Sequence, residues 1–301
     1  MNLHFMKNSS KISNPVRNRK FLNGANEVNF KSIYFKRHPW SHKGQFGYLL
    51  IVAGSERFTG SPIFNAMAAL RSGVDLITVC GPKRAMDIAA SFAPDIITYP
   101  LAEELVPGQV KQILNLAKNF QALVIGCGLA RNKITYQAIR LLIKKNNLPM
   151  VIDAEAIRAV AEDKKVLKNK KVILTPQAEE FRILTGESVK PEVNDRRAKV
   201  KKWAAKLKAV ILLKGQIDII SDGKRVVLNK TGSVYMTKGG FGDTLSGICG
   251  ALLAQGVTPL LAAQAAAYIN GRAGELAAEE YGAGVLASDI FNYLPEVIKK
   301  L

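Results

Sequence analysis

Short apolar runs alternate with segments of helical spacing in the first half of the chain. The run YLLIVAG, Tyr48–Gly54, ends at a glycine and precedes SPIFNAMAALRSG, Ser61–Gly73, in which apolar residues recur at helical intervals. Continuous apolar strands separated by helices are typical of a parallel sheet covered on both faces. Runs of the same kind predict further strands within Asp75–Gly81, Ala122–Gly128, Pro149–Ala154 and Lys171–Pro176.

The pattern changes in the second half of the chain. Three apolar runs with only turn residues between them lie at Ala209–Gly215, Asp218–Gly223 and Arg225–Asn229. This spacing predicts strands joined by tight turns, and therefore an antiparallel edge. The spacing then predicts helices over about Thr244–Gln255, Pro259–Glu280 and Ser288–Lys300. We predict one α/β domain over residues 41–301, with a mostly parallel central sheet, helices on both faces and an antiparallel edge.

The charge of the chain raises a second class of function. The sequence has 43 Lys and Arg against 24 Asp and Glu, a net charge of +19, and residues 1–40 read as a basic, partly disordered tail. A strongly basic chain suggests nucleic-acid binding. No aromatic-interleaved RNA-binding signature and no zinc-finger spacing supports it, so surface solubility and attraction of small anions is favoured, with nucleic acid kept as an alternative.

The cysteines and the apolar runs suggest a compartment. Cys80, Cys127 and Cys249 are isolated and lie in apolar contexts. This favours buried free thiols in a reducing environment. No apolar run approaches the roughly 18 residues that span a bilayer, and no secretory h-region is visible. We expect a cytoplasmic protein without a membrane partner.

Several mechanisms are excluded by missing motifs. The Walker A pattern and a GxGxxG motif after a strand are absent, and the three histidines, His4, His38 and His42, precede the predicted core. A Ser-His-Asp triad and a histidine-rich metal site are therefore not expected. The predicted strands end in glycine or polar residues, which makes their carboxyl ends candidates for one shared cleft.

The stretch MTKGGFGDTLSG, Met236–Gly247, is the remaining candidate for chemistry. Gly239, Gly240 and Gly242 can adopt positive φ and let a ligand approach the backbone. The helix predicted to begin near Asp243 would aim its N–H groups at an anion. Asp243 would stay ionised there and could accept a proton from a hydroxyl. From the residues alone, a helix cap after a flexible loop explains Asp243 equally well.

A resemblance to a known family favours the chemical interpretation. The segment Gly239–Gly256 resembles the anion-hole and catalytic-aspartate motif of ribokinase-like kinases. Further stretches occur in the order seen in ADP-dependent NAD(P)H-hydrate dehydratases: His42–Val79, Val124–Arg131, Val151–Ile157, Leu174–Gly186, Val210–Gly223 and Ala283–Ile290. The resemblance covers about residues 40–300 and implies a three-layer ribokinase-like fold. It also suggests a stand-alone dehydratase, without the epimerase domain often fused to this family.

The resemblance implies a repair reaction on a damaged cofactor. Such enzymes act on the S epimer of NADH or NADPH hydrated at C6 of the nicotinamide ring. They phosphorylate the C6 hydroxyl with ADP, or with ATP in eukaryotic members, and eliminate phosphate to restore NAD(P)H, giving AMP and phosphate. Mg²⁺ is expected to neutralise phosphoryl oxygens. Family membership also implies a homo-oligomer, with a tetramer as the expectation, and a separate epimerase as a partner.

Site residues carry over from the family motifs by position. Asp243 would be the general base and would contact the hydrate together with Ser61, Gly128 and Gln177. The nucleotide would lie against Lys214, Gly215, Gln216, Ile217, Asp218 and Gly242. The transferring phosphoryl group would lie in an anion hole of Gly239, Gly240 and Gly242. Asp153 is assigned a structural or supporting role, and Glu180 would organise water or Mg²⁺.

Four positions depart from the usual family pattern. Gln177 replaces a common histidine, Ser61 a common alanine and Phe241 a small residue, while Lys238 adds a positive charge. Gln177 can form hydrogen bonds but cannot carry charge, which leaves an acid–base role at that position open. Besides nucleic-acid binding, the remaining alternative is a small-molecule kinase of the ribokinase-like superfamily, of the hydroxymethylpyrimidine or thiazole kinase type.

Overall fold

A nine-stranded sheet runs through the computed structural model, which describes residues 30–34, 36–102 and 104–301. The strands are β1 (Tyr48–Val52), β2 (Leu76–Pro82), β3 (Ile97–Leu101), β4 (Ala122–Ile125), β5 (Met150–Ile152), β6 (Val172–Leu174), β7 (Val210–Leu213), β8 (Asp218–Ser221) and β9 (Val226–Asn229). Their spatial order is β3-β2-β1-β4-β5-β6-β7-β8-β9. All neighbours from β3 to β7 are parallel, and β8 and β9 form the antiparallel edge.

Ten α-helices in the described residues surround the sheet. They are α1 (Ser61–Arg71), α2 (Lys83–Phe92), α3 (Val110–Ala117), α4 (Lys133–Lys145), α5 (Glu155–Glu162), α6 (Ala178–Thr185), α7 (Val193–Leu207), α8 (Phe241–Ala254), α9 (Pro259–Tyr281) and α10 (Ile290–Lys299). The strands β7, β8 and β9 and the helices α8, α9 and α10 agree with the predicted elements to within a few residues. None of these helices is both long and apolar enough to cross a membrane.

Alternate residues of each strand enter two separate cores. Leu49 and Ile51 pack with α1, α8 and α9 on one face, whereas Leu50 and Val52 pack with α4 and α5 on the other. Because successive side chains of a strand point to opposite faces, an apolar run buries one set against each helical layer. The predicted three-layer α/β architecture is therefore confirmed.

One strand departs from the expected pattern. The segment ITYPL of β3 forms the outer parallel edge, and Ile97 at its start is 45% exposed. Its tyrosine and proline break the apolar run by which the other strands are recognised. An edge strand needs no continuous apolar run, because only part of its surface is covered.

The predicted tail over residues 1–40 lies partly outside the described residues, which begin at Phe30. The aromatic ring of Phe30 packs 5.3 Å from that of Tyr268, and Ile33 is 4% exposed. The Tyr34 hydroxyl donates to the Ser72 carbonyl at 3.3 Å, and Arg37 donates to the Gly73 carbonyl at 2.7 Å. This segment therefore belongs to the packed molecule, whereas the boundary at residue 40 stays a prediction.

Candidate active site

The carboxyl ends of five adjacent parallel strands meet the start of α8. The chain leaves β1, β4, β5, β6 and β7 at this edge, and the register of β1 with β4 and of β6 with β7 aligns their ends. Gly240, with φ of +102°, precedes the first turn of α8. Ligand sites of open α/β sheets lie beyond the carboxyl ends of the strands, so this edge is the expected place for chemistry.

Asp243 lies in the first turn of α8 and faces the ends of β4 and β5. Asn65 of α1 donates to the Asp243 main-chain carbonyl at 2.7 Å and so fixes the position of this turn. Burial and the neighbouring Asp153 raise the pKa of the Asp243 carboxyl to about 6, although Ser61 and Cys127 donate to it and Lys214 lies nearby. The carboxyl is thus ionised at pH 7 but takes a proton at mildly lower pH, which modifies the expectation that it simply stays ionised.

Asp153 anchors a buried network beneath Asp243. It is 2% exposed, and its Oδ1 accepts from Lys214 Nζ at 2.9 Å and from the Ala154 amide at 2.9 Å. Its Oδ2 accepts from Ser246 Oγ at 2.6 Å. A carboxylate with this many donors holds its charge inside the protein. The supporting role predicted for Asp153 therefore has a geometric basis.

The backbone at Ala154 is strained beside this network. Its φ is +48°, one of three positive values among the described residues other than glycine. Such conformations persist where surrounding contacts enforce them, and they concentrate at functional sites. Here the strain lets the Ala154 amide turn back to the Asp153 carboxylate at the end of β5.

The predicted anion-hole glycines differ in what surrounds them. Around a Cβ built on Gly239, no described atom beyond its chain neighbours lies within 4 Å, whereas a Cβ on Gly240 would lie 2.7 Å from the Ala287 side chain and 3.0 Å from the Phe64 ring. A Cβ on Gly242 would lie 3.3 Å from Lys214 Nζ, which places this ammonium group just under the loop. The first N–H groups of a helix have no acceptor inside it, so this loop presents free donors next to a buried cation.

Lys214 is enclosed and paired. Burial alone would lower the pKa of the Lys214 ammonium, but Asp153 and Glu180 together raise it above its usual value, so the group stays charged. Its side chain is 15% exposed. In the structure this charge belongs to the network of Asp153, and its predicted contact with the nucleotide stays a prediction.

The segment Lys214–Asp218 forms the turn between β7 and β8. The Gly215 amide donates to Asp218 Oδ1 at 3.0 Å, and Asn229 donates to Asp218 Oδ2 at 3.0 Å. Asp218 thus stabilises the turn, while Gly215 and Gln216 are exposed at its tip. The predicted contacts of Gly215, Gln216, Ile217 and Asp218 with the nucleotide stay predictions.

Gln177 and Glu180 lie at the start of α6, across the cleft from the glycine loop. The Gln177 amide donates to Glu180 Oε2 at 2.8 Å. Burial and Asp153 raise the pKa of the Glu180 carboxyl, and the Lys214 charge opposes this shift. The sequence pattern had not revealed this contact at the start of the helix.

Ser61 and Gly128 touch each other opposite Asp243. Gly128 has φ of +66°, and a Cβ there would lie 2.8 Å from the Ser61 side chain. Phe58 borders the same spot, 3.1 Å from that Cβ position, and is 50% exposed. Its amide donates to Ser55 Oγ at 3.1 Å. Sequence reasoning overlooked Phe58, although an aromatic residue three positions before Ser61 was a visible signal.

The structure accounts for two departures from the family pattern. Phe241 is 5% exposed and fills the core beneath the glycine loop, and its carbonyl accepts from Thr244 and Asn270. Lys238 Nζ donates to the Ala283 carbonyl at 2.7 Å. Phe241 thus anchors the loop from below, and Lys238 ties its start to the segment after α9.

The carboxylates suit an indirect metal site more than a direct one. The ligand atoms of Cys127, Asp153 and Asp243 lie within 4.8 Å of one another. Burial, with the charges of Asp243 and Asp153, raises the pKa of the Cys127 thiol well above its usual value. A protonated thiol is a poor ligand for Mg²⁺, and Asp153 is already engaged by Lys214 and Ser246. These three residues therefore do not fit Mg²⁺ as direct ligands, and the role expected of Glu180 stays a prediction.

Comparisons with known proteins agree with this geometry. A family model described as NAD(P)H-hydrate dehydratase matches residues 49–296. The chain is 41% identical over 274 residues to a bifunctional NAD(P)H-hydrate repair enzyme of Pyrobaculum aerophilum, covering 90% of this chain and 54% of that protein. The chain thus spans about half the length of the first curated relatives it matches.

Two further relatives match along nearly their whole length. An ADP-dependent (S)-NAD(P)H-hydrate dehydratase of Cenarchaeum symbiosum is 38% identical over 263 residues, covering 86% of this chain and 91% of that protein. The crystal structure of an ADP/ATP-dependent NAD(P)H-hydrate dehydratase of Bacillus subtilis, co-crystallised with ATP and Mg²⁺, superposes with a TM-score of 0.75 at 29% identity. It covers 88% of this chain and 93% of that chain. The predicted ribokinase-like fold is confirmed by this likeness.

Proposed function

The chain belongs to the NAD(P)H-hydrate dehydratase family, and from this premise we propose that it carries out the ADP-dependent dehydration of C6-hydrated NADH and NADPH. The S epimer of the hydrate is the substrate, and ADP is the phosphoryl donor. The products are NAD(P)H, AMP and phosphate. The observation that carries the proposal is the position of the Asp243 carboxyl, whose pKa is raised to about 6, between Ser61 and the glycine loop.

The reaction divides into a transfer and an elimination. The Asp243 carboxylate takes the proton of the C6 hydroxyl. The hydroxyl oxygen attacks the β-phosphorus of ADP, and the bond between this phosphorus and the bridging oxygen of AMP breaks. The ring nitrogen then supplies an electron pair, the C6–O bond breaks and phosphate leaves. Loss of a proton from C5 to water restores the C5–C6 double bond. A base whose pKa is about 6 is well matched to a proton transfer near neutral pH.

The glycine loop would receive the charge that develops on the phosphoryl group. Gly239 faces open space, and the N–H groups at the start of α8 lack acceptors within the helix. Fixed donors of this kind stabilise a transferring phosphoryl group without reorganisation. The buried ammonium of Lys214 adds a positive charge beneath the loop, and AMP would lie against the exposed tip of the turn at Gly215 and Gln216.

The hydrated nicotinamide would lie opposite Asp243. Ser61 and Gly128 form its floor, Gln177 offers hydrogen bonds from the start of α6, and the half-exposed ring of Phe58 provides a flat apolar surface. Mg²⁺ would be held through water by Glu180 and by the phosphates, and it would neutralise phosphoryl charge when bound. ATP is the alternative donor, because the Bacillus subtilis relative of known structure is described as ADP/ATP-dependent.

The cellular setting is part of the proposal. The described cysteines Cys80, Cys127 and Cys249 are all buried and unpaired, which suits a reducing cytoplasm. Hydration gives both epimers at C6, so a separate epimerase would convert the R form for this chain. The proposal includes a homo-oligomer, with a tetramer as the expected assembly.

The proposal is tested by the recovery of the 340 nm absorbance of NADH. Wild-type protein with Mg²⁺ is incubated with hydrated NADH and either ADP or ATP. We expect Asp243→Asn to lower the rate by about a thousandfold, since the base is lost, while the melting temperature is retained. Asp95→Asn, at an exposed position between α2 and β3, is the matched control and should leave the rate unchanged.

Two outcomes would contradict the proposal. A stable phosphorylated product with no return of absorbance would identify a small-molecule kinase instead. A wild-type chain that is silent with both nucleotides but binds RNA tightly and in a salt-dependent manner would favour the nucleic-acid alternative.

A further inference from the structure

A second cleft opens on the same edge of the sheet as the active site. It has a volume of about 610 Å³ and is lined by residues of the loop after β3 and of the first turn of α4. Ala102, Val106 and Ile134 supply apolar surface, and Ile134 is 56% exposed. Because both the loop after β3 and the start of α4 follow the carboxyl ends of parallel strands, the cleft opens toward the side on which Asp243 lies.

The loop after β4 joins this cleft to the active site. Gly128 touches Ser61 in the active site, and Asn132 lines the cleft only four residues later. Four extended residues span at most about 14 Å. The distance between the two sites is therefore within the length of a dinucleotide.

Arg131 lies between Gly128 and Asn132 along the chain and offers a positive charge to the pyrophosphate of a dinucleotide. Its guanidinium donates twice to Glu155 Oε1, at 2.9 and 2.6 Å, and its side chain is still 66% exposed. The ion pair with Glu155 fixes one edge of the planar guanidinium and leaves the other edge exposed to solvent. A guanidinium held in this way can donate from its exposed edge to a phosphate.

The polar groups of the cleft suit a ribose. Glu104 accepts from Asn132 Nδ2 at 2.7 Å, which orients the carboxylate at the cleft wall. Thr135 also lines the cleft, is 1% exposed, and its Oγ1 has no hydrogen-bond partner among the residues the structure describes. An unpaired buried hydroxyl at the start of a helix of 13 residues is a group that a ligand could satisfy.

We infer that this cleft binds the adenosine half of the dinucleotide substrate. The adenine would pack on Ile134 and Val106, the ribose hydroxyls would donate to Glu104, and the pyrophosphate would cross Arg131. This inference rests on the proposed function, since it extends the same substrate beyond the nicotinamide. The Glu104 carboxylate would repel a 2′-phosphate, so NADH hydrate is preferred to NADPH hydrate.

The test compares the whole substrate with one that lacks adenosine. Initial rates are measured with hydrated NADH and with hydrated reduced nicotinamide mononucleotide, at saturating ADP. Ile134→Ala should raise KM for hydrated NADH about fivefold, as expected for the loss of apolar contact. The kcat for hydrated NADH and both constants for the mononucleotide should stay unchanged. Ile97→Ala, at a similarly exposed isoleucine on the other edge, is the matched control.

A second variant tests the ribose contact. Glu104→Gln keeps an acceptor for Asn132 but removes the charge, so kcat/KM for hydrated NADPH relative to hydrated NADH should rise about tenfold. Glu279→Gln, at an exposed position of α9, should leave the ratio unchanged.

The outcomes separate this inference from the proposed function. The inference would be overturned, while the wild-type dehydratase activity stands, if Ile134→Ala left KM for hydrated NADH unchanged and Glu104→Gln left the preference between the two hydrates unchanged. It would also be overturned if Ile134→Ala raised KM equally for hydrated NADH and for the mononucleotide. A wild-type chain inactive on both substrates would overturn the proposed function and this inference together.

Discussion

At the scale of single residues, the site depends on two carboxyl groups that differ in their partners. Asp153 is engaged by Lys214, Ser246 and a backbone amide, so its charge is held inside the network. Asp243 has fewer donors and lies beside this charge, so its pKa rises to about 6. The contrast assigns the fixed anion and the exchangeable proton to different residues.

This arrangement predicts a particular pH dependence. A base must be deprotonated to act, so kcat/KM should fall as the pH drops through about 6. In Asp153→Asn the repulsion is lost while the charge of Lys214 remains, so the acid limb should move down by about one pH unit. The measurement is a pH–rate profile from pH 4.5 to 8, with the melting temperature followed in parallel. An acid limb that stays in place in a folded variant would contradict the role given to Asp153.

At the residue scale, the sequence predicted features that depend on neighbours along the chain and missed those that depend on contacts between distant residues. The place of Asp243 beside three glycines was visible in one short stretch, and the structure keeps it at the start of a helix. Its raised pKa was not visible, because Asp153 lies 90 residues earlier and meets it only through the order of the strands. The same holds for Lys214, whose partner comes from a different strand end.

At the scale of elements, α8 reaches the site by packing closely on α1. A Cβ at Gly247 would lie 2.3 Å from the carbonyl oxygen of Asn65, and a Cβ at Gly250 would lie 2.3 Å from Val124. Neither position accepts a side chain without movement of a helix or of β4. Because Asn65 also donates to the Asp243 carbonyl, a displacement of Asn65 would displace the first turn of α8 as well.

Gly247→Ala is therefore expected to affect both stability and activity. Overpacking should cost about 2 kcal/mol, and the displaced Asn65 should lower kcat more than it raises KM for ADP. Thermal melting and initial rates at 340 nm measure the two effects. Gly108→Ala is the control, since within 4 Å of its Cβ position there is no atom of the described chain. A variant as stable and as active as the wild type would contradict the close approach.

Elements could be predicted where a period was strong. The eight strands with continuous apolar runs and the late helices follow from pattern alone, because each strand face is buried under helices. The edge strand β3 escaped because its exposure removed the pattern. Gly247 and Gly250 lie inside a predicted helix, but the close contacts at these positions could not be predicted, since they depend on the tertiary arrangement.

At the scale of the whole molecule, the positive charge is spread over the folded part. Residues 1–29 contain five basic residues and one acidic residue, whereas residues 30–301 contain 38 basic and 23 acidic residues. Most of the excess therefore belongs to the packed molecule and attracts anionic ADP and dinucleotides from all directions. Salt should thus reduce the association rate of the substrates with truncated and full-length chains alike.

Two truncations locate the start of the structural domain. Removal of residues 1–29 leaves the contacts of Phe30, Ile33, Tyr34 and Arg37 in place, so the melting temperature and the dehydratase rate should match those of the full chain. Removal of residues 1–40 deletes the buried Ile33 and these hydrogen bonds, and should cost about 3 kcal/mol. Thermal melting of both proteins in one buffer measures the difference. Equal melting temperatures of the two truncated proteins would show that the segment from Phe30 to Arg37 adds nothing to the stability of the core. A lower melting temperature after removal of residues 1–40 than after removal of residues 1–29 would place the domain boundary before Phe30.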